Sequence, residues 1–229
     1  MSLRSVLSAA LGPFLFLVIF GADAWTLRAD DQPSEKVLFE ESFADAPGKD
    51  WSWVRESRED WKIDKERKEL LLRSMWAVGG QNNMLVRTAP DGKKGPVAIE
   101  AHINHAPKVD FEFSGLIWYF DDKNSIGLVQ ERGDDGKWQV FLGRRKDGEG
   151  KVLKHVIYDK PEIDLRIVVT GLKAEGWYRA SGNDKWQSVG EMEMPSSGEA
   201  KVGLRTGNGE RDKPSWARFS KFRILQLGS

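Results

Sequence analysis

Three groups of residues in this chain have the types and spacing to do chemistry. The first is tryptophan, of which there are ten. An indole offers a flat apolar face on which the C–H face of a sugar ring stacks, while nearby amides and acids bond the sugar hydroxyls. Most of these rings have a simpler use. Trp118, Trp138, Trp177 and Trp216 stand in alternating apolar patterns and are expected to fill a core. Trp76 differs, because it precedes Gly79-Gly80-Gln81-Asn82-Asn83, a loop whose amides carry donors and acceptors together. Trp76, Gln81, Asn82 and Asn83 are therefore expected to contact a ligand.

The second group lies on Val97–His105. Alternation puts Ile99, Ala101, Ile103 and His105 on one side of a strand and Glu100, His102 and Asn104 on the other. If the polar side faces a concave sheet surface, it lines a groove together with Gln130 and Arg132. Glu100 and His102 would then be the acid–base candidates of an enzyme, since both can move protons near neutral pH once burial shifts them. An ordinary solvent-facing sheet surface has the same pattern. The third group is carboxylate pairs: Glu162 with Asp164, and Glu191 with Glu193. Retaining glycoside cleavage needs two carboxyl groups about 5–5.5 Å apart flanking the bond, and a pair two residues apart on one strand does not supply that by itself.

No cofactor is expected. His102 and His105 fall on opposite faces of one strand, so with His155 they make no zinc set. Asp121-Asp122 and Asp134-Asp135 could offer oxygens to a structural calcium, although turn chemistry accounts for both. Gly92-Lys93-Lys94-Gly95 lacks P-loop spacing, and there is no G-x-S-x-G elbow.

These residues must be positioned by strands. Gly115–Arg132 reads as one β-hairpin turning at Asp121-Asp122-Lys123-Asn124, with apolar or aromatic residues on both faces of its first strand, so that strand is expected to be central in a covered sheet. Similar short alternating runs, punctuated by Gly, Pro, Asp and Asn, recur from Val37 to Leu225, and no segment sustains a helical apolar period. Arg55–Lys68 is charged without an apolar stripe and is not a helix. About fourteen short strands predict an all-β fold, a two-layer antiparallel sandwich, over residues 37–226.

The composition bounds the partners. Lys+Arg and Asp+Glu balance at 35 each, so no bulk attraction to nucleic acid or anionic membrane is expected. Met1–Ala24 has the form of a signal peptide: Arg4, the apolar run Val6–Phe20 and the small-x-small site Ala22-Asp23-Ala24. The mature chain is expected to begin at Trp25, with residues 25–36 a flexible lead-in, and to be exported to the periplasm or the extracellular space without a membrane anchor. There is no cysteine, so the exported chain holds itself by its core and not by disulfides, a pattern suited to bacterial export.

The ordered motifs also resemble a known family. Trp51-Ser52-Trp53, Leu70-Leu71-Leu72 and Asn83-Met84-Leu85-Val86-Arg87 resemble the concanavalin A-like domain at the C-terminus of β-xylosidases. So do Gly115–Asp122, Asp164-Leu165-Arg166-Ile167, Trp177–Gly182 with Trp186, Val202–Arg205 and Ala217–Phe222. The resemblance implies a jelly-roll sandwich, sugar-related ligands and an accessory role beside a separate catalytic protein. Three functions stay open: a non-catalytic, lectin-like carbohydrate-binding protein, a glycoside hydrolase or lyase acting on a polysaccharide, and a structural or adhesion module.

Overall fold

The computed structural model describes residues 35–76, 83–180, 182 and 184–228. The expected signal peptide and residues 25–34 of the lead-in lie outside the described residues, as do Gln81 and Asn82. Fifteen strands are present among those described. The first five are β1 (Glu35–Glu41), β2 (Ser52–Val54), β3 (Trp61–Asp64), β4 (Glu69–Arg73) and β5 (Met84–Thr88). Next come β6 (Val97–Asn104), β7 (Phe113–Asp121), β8 (Asn124–Arg132), β9 (Trp138–Lys146) and β10 (Glu149–Ile157). The last are β11 (Glu162–Thr170), β12 (Lys173–Arg179), β13 (Gln187–Glu193), β14 (Lys201–Gly207) and β15 (Trp216–Leu227).

They form two antiparallel sheets. One runs β13-β12-β11-β6-β15-β4-β3, with β1 also paired to β15; the other runs β10-β9-β8-β7-β14-β5-β2. The hairpin expected from Gly115–Arg132 is β7–β8, and β7 is the central strand of the seven. Asp121 pairs with Asn124 across its turn, and the Asp121 carboxylate accepts from the Lys123 and Asn124 N–H groups, which draws its pKa down. The first strand begins at Glu35, where the lead-in was expected to continue: Glu35 and Lys36 already pair with Leu227 and Gln226. Arg55–Lys68 holds one short 3-10 turn, Arg58–Asp60, followed by β3.

The core lies between the sheets and follows the period of two. Ile99, Ala101 and Ile103 of β6, Ile163, Leu165, Ile167 and Val169 of β11, and Leu116 and Trp118 of β7 meet Ile126, Leu128, Val140, Leu142, Val202 and Leu204 there. Removal of each such side chain from water stabilises the fold by roughly 1.5–3 kcal/mol. β15 changes phase midway. Ala217 and Phe219 point inward, then a bulge near Lys221 (φ 54°) turns Phe222 and Ile224 inward instead. Of the four tryptophans expected in the core, Trp118 is there, 3% exposed. Trp138, Trp177 and Trp216 are only half-buried; Lys62 and Arg73 lie over the Trp216 ring. Alternation fixes that a ring shares a side with its neighbours, but an indole near a strand end meets less of the opposing sheet.

Candidate functional site

Each sheet has an outer face, and the expected site residues divide between them. Glu100, His102 and Asn104 point outward from the eight-stranded sheet, as alternation requires. Register then places Arg166 and Arg223 opposite Glu100 on the two flanking strands, and Asp164 opposite His102. Arg166 Nε donates to Glu100 Oε2 at 2.8 Å, and Arg223 donates to the other carboxylate oxygen. Arg166 also meets Glu35 at 2.8 Å. Glu100 is consequently only 4% exposed, with both oxygens engaged. His102 Nδ1 lies 2.8 Å from Asp164 Oδ1, while Arg179 Nε donates to Asp164 Oδ2 at 2.8 Å. Burial raises the Asp164 pKa, but these two partners outweigh it and hold it below the ordinary carboxylate value. The Trp186 ring covers both Arg166 and Arg179. Asn104 donates to Glu162 at 3.0 Å. A recess of about 290 Å³ remains, bordered by Glu100, His102 and Asp164.

Gln130 and Arg132 do not join this face, which corrects the expectation of a shared groove. Both belong to β8, in the other sheet. Gln130 has the same parity as Ile126 and Leu128, so it points into the sandwich, fully buried, and donates to the Lys160 carbonyl at 2.6 Å. Arg132 pairs with Asp110.

The larger opening lies across the outer face of the seven-stranded sheet, a groove of about 1040 Å³. Its floor can be read from the register. Gly203, Ile117, Gly127 and Gly143 form one cross-strand row, and Arg205, Gly115, Val129 and Phe141 form the next. Side chains are missing along the middle of this floor, and that makes the depression. Gly115 has no alternative, because a Cβ there would meet the Leu128 carbonyl at 2.2 Å. Phe113 and Glu131 continue the floor, with the Arg205 guanidinium 4.5 Å from the Phe113 ring centre. Burial pushes the Glu131 pKa up, against a hydrogen bond from Gln139.

Trp76 stands on the rim of this groove, 53% exposed. Asn83 also lines the groove but is only 5% exposed. Its amide donates to the Asp60 carbonyl and accepts from Ser57 N–H, so it fixes the rim and has little left for a ligand. On another wall Arg55 grips both oxygens of Asp122 at 2.9 and 3.0 Å, and the Tyr119 hydroxyl donates to the same carboxylate. Asp134 and Asp135 lie in a turn, where the Asp135 carboxylate accepts from Lys137 N–H. No group of three or more His, Cys, Asp or Glu among the described residues is arranged to hold a metal ion.

Two antiparallel sheets closed over an apolar interior, with a groove across the outside of one, define a concanavalin A-like sandwich. The family model described as the β-xylosidase C-terminal concanavalin A-like domain matches residues 40–224, and the chain belongs to that family. Among solved structures, the GH43 protein BlXynB of Bacillus licheniformis superposes with a TM-score of 0.73 at 17% identity, over 82% of this chain and 39% of that one. The Bacteroides ovatus xyloglucan PUL GH43B gives 0.65 at 19% identity, over 86% of this chain and 40% of its own. A functionally unknown protein from Saccharomyces cerevisiae gives 0.64 at 12% identity, with 79% and 98% covered. The chain thus spans about two fifths of the length of the two GH43 proteins. A search of curated proteins gives no match.

Proposed function

We propose that this is an exported, non-catalytic carbohydrate-binding protein, and that a polysaccharide chain lies in the groove of the seven-stranded sheet. One juxtaposition carries the reading. An exposed indole, Trp76, stands at the edge of a long groove whose floor combines aromatic rings, Phe113 and Phe141, with polar groups of Ser125, Glu131 and Arg205. Rings for stacking and convergent polar groups are what a sugar chain requires. The similarity to GH43 proteins supports xylan-type polysaccharides as the first ligands to try.

The experiment is affinity electrophoresis and calorimetry against xylan, arabinoxylan, xyloglucan and cellulose. Binding of at least one is expected, and Trp76→Ala weakens it about tenfold, the loss of one stacking contact of roughly 1–1.5 kcal/mol. Failure of the wild type on the whole panel contradicts the proposal. Export is checked separately: mass spectrometry of the mature protein is expected to find Trp25 at the N-terminus.

A second reading, cleavage of a glycan in the same groove, is favoured by Glu131, a carboxyl in the floor whose burial biases it toward the acid form. Release of reducing ends from the same panel, abolished in Glu131→Gln, would select it.

A further inference from the structure

We infer that the groove selects an acidic glycan, seating a carboxylate or sulfate ester of the sugar between Arg205 and Arg145. This rests on the glycan reading of the groove and goes further by assigning the ligand's charge.

Arg205 is the group in the groove that lacks a counter-ion among the described residues. It rises from β14 into the floor and reaches across β7 until its Nη1 lies 3.5 Å from where a Cβ on Gly127 would be. No described carboxylate pairs with it. Its Nε is buried without a hydrogen-bond partner, and among the described residues nothing accepts a hydrogen bond from the rest of its guanidinium, although the residue lines the groove. Among the described residues the Phe113 ring, at 4.5 Å, offers it compensation. Arg166, by contrast, is matched by Glu100 and Glu35, and Arg87, whose Nε and Nη1 are also buried without a partner, lies over the Phe39 ring away from the groove. A confined charge left unmatched is costly, and the natural complement is an anion brought by a ligand.

Arg145 supplies the second half. On β9 it occupies the same face, one row from Gly143 and Gly127. Among the described residues it donates to the Asp122 carbonyl, at 3.4 Å, while the Asp122 carboxylate is gripped by Arg55 and Tyr119. The two arginines repel: burial first, and Arg145 second, bring the Arg205 pKa down to about 10. Like charges converge here over two glycines that leave the floor open. The whole lining tilts the same way, with six Lys and Arg side chains against three Asp and Glu. Asp60 and Arg73 pair with each other, and Arg55 pairs with Asp122, so Arg144, Arg145, Lys151 and Arg205 remain against Glu56 and Glu131. Guanidinium groups suit an oxyanion because they donate two parallel N–H bonds to it.

Calorimetry with a matched pair of polymers tests this: a uronic-acid-bearing xylan, and the same polymer with its carboxylates reduced to alcohols. The wild type is expected to bind the acidic form at least about tenfold more tightly. Arg205→Gln is expected to bring the ratio close to one, and Arg145→Gln to lower it by a smaller factor. The wild-type comparison is decisive alone, so it stands even if a variant fails to fold. Equal affinity for both polymers overturns the acidic-glycan inference and leaves the groove reading in place. Binding of neither polymer, or of any other glycan, overturns both. A sulfated derivative of the reduced polymer separates the sources: if it recovers tight, Arg205-dependent binding beyond that of the uronate form, the anion is a sulfate ester.

Discussion

Glu100→Ala is expected to lower the unfolding free energy by about 3–5 kcal/mol while leaving glycan binding in the groove unchanged. Glu100 is 4% exposed and holds Arg166 and Arg223 together. Removing it strands Arg166, which is 8% exposed and keeps only Glu35. Arg223 can relax toward water, since 30% of its side chain is already exposed, which places the loss near the lower end of that range. For a domain of this size the midpoint of thermal unfolding falls by roughly 10 °C. Glu100→Gln keeps the shape but not the charge and is expected to cost about 2 kcal/mol. Denaturant unfolding together with xylan calorimetry reads both sides of this prediction. An intact fold with lost sugar binding or lost turnover would instead make Glu100 a functional acid.

Acid is expected to act through Glu112. This residue is 1% exposed and sits in a buried cluster with His105, Ser114 and Ser215. Burial alone would raise its pKa. His105 at 3.4 Å, the Ser215 hydroxyl, and the N–H groups of Lys108 and Val109 outweigh that and bring it down from 4.5 to about 2. A carboxyl whose folded pKa is depressed contributes stability that is present above its unfolded pKa and lost as pH falls toward the folded one. The window is therefore about pH 5 down to pH 2, and the contribution at stake is about 3 kcal/mol. Glu112→Gln removes this component at every pH. Denaturant midpoints measured from pH 7 to pH 2 are expected to fall more steeply in the wild type than in the variant. Parallel curves would show that the cluster does not hold Glu112 ionised.

Much of this was legible in the sequence, and the failures are specific. The hairpin β7–β8 could be read directly, because it depends on a local turn between alternating runs. The parity of β6 was equally plain, since Ile99–Ile103 trade apolar and polar positions without interruption. Gln130 was misplaced although the same rule covers it: if Ile126 and Leu128 face inward, so does Gln130, and Glu131 faces out. The ion pairs around Glu100 were not legible, because they depend on which strands flank β6, and β11 and β15 are far away in sequence. Arg205 was missed for the same reason. On its own strand it is an ordinary outward-facing polar residue, and the rows Gly203–Gly127–Gly143 and Arg205–Gly115–Phe141 make it the cation of an open floor. Trp76 could be singled out because an indole beside an amide-rich loop needs no knowledge of register, and the structure leaves it exposed on the rim of the groove.

The two sheets offer two outer faces, each with a tryptophan, and the indole N–H signals of Trp76 and Trp186 report on them separately. Titration of the isotope-labelled protein with xylan oligosaccharides, acidic and neutral, is the most direct test of where the ligand lies. The groove account expects the Trp76 signal to shift together with backbone signals of Ser125–Glu131 and Phe141–Arg145, while Trp186 stays still. Movement of Trp186 with the Glu100–His102 strand, and none at Trp76, would contradict it.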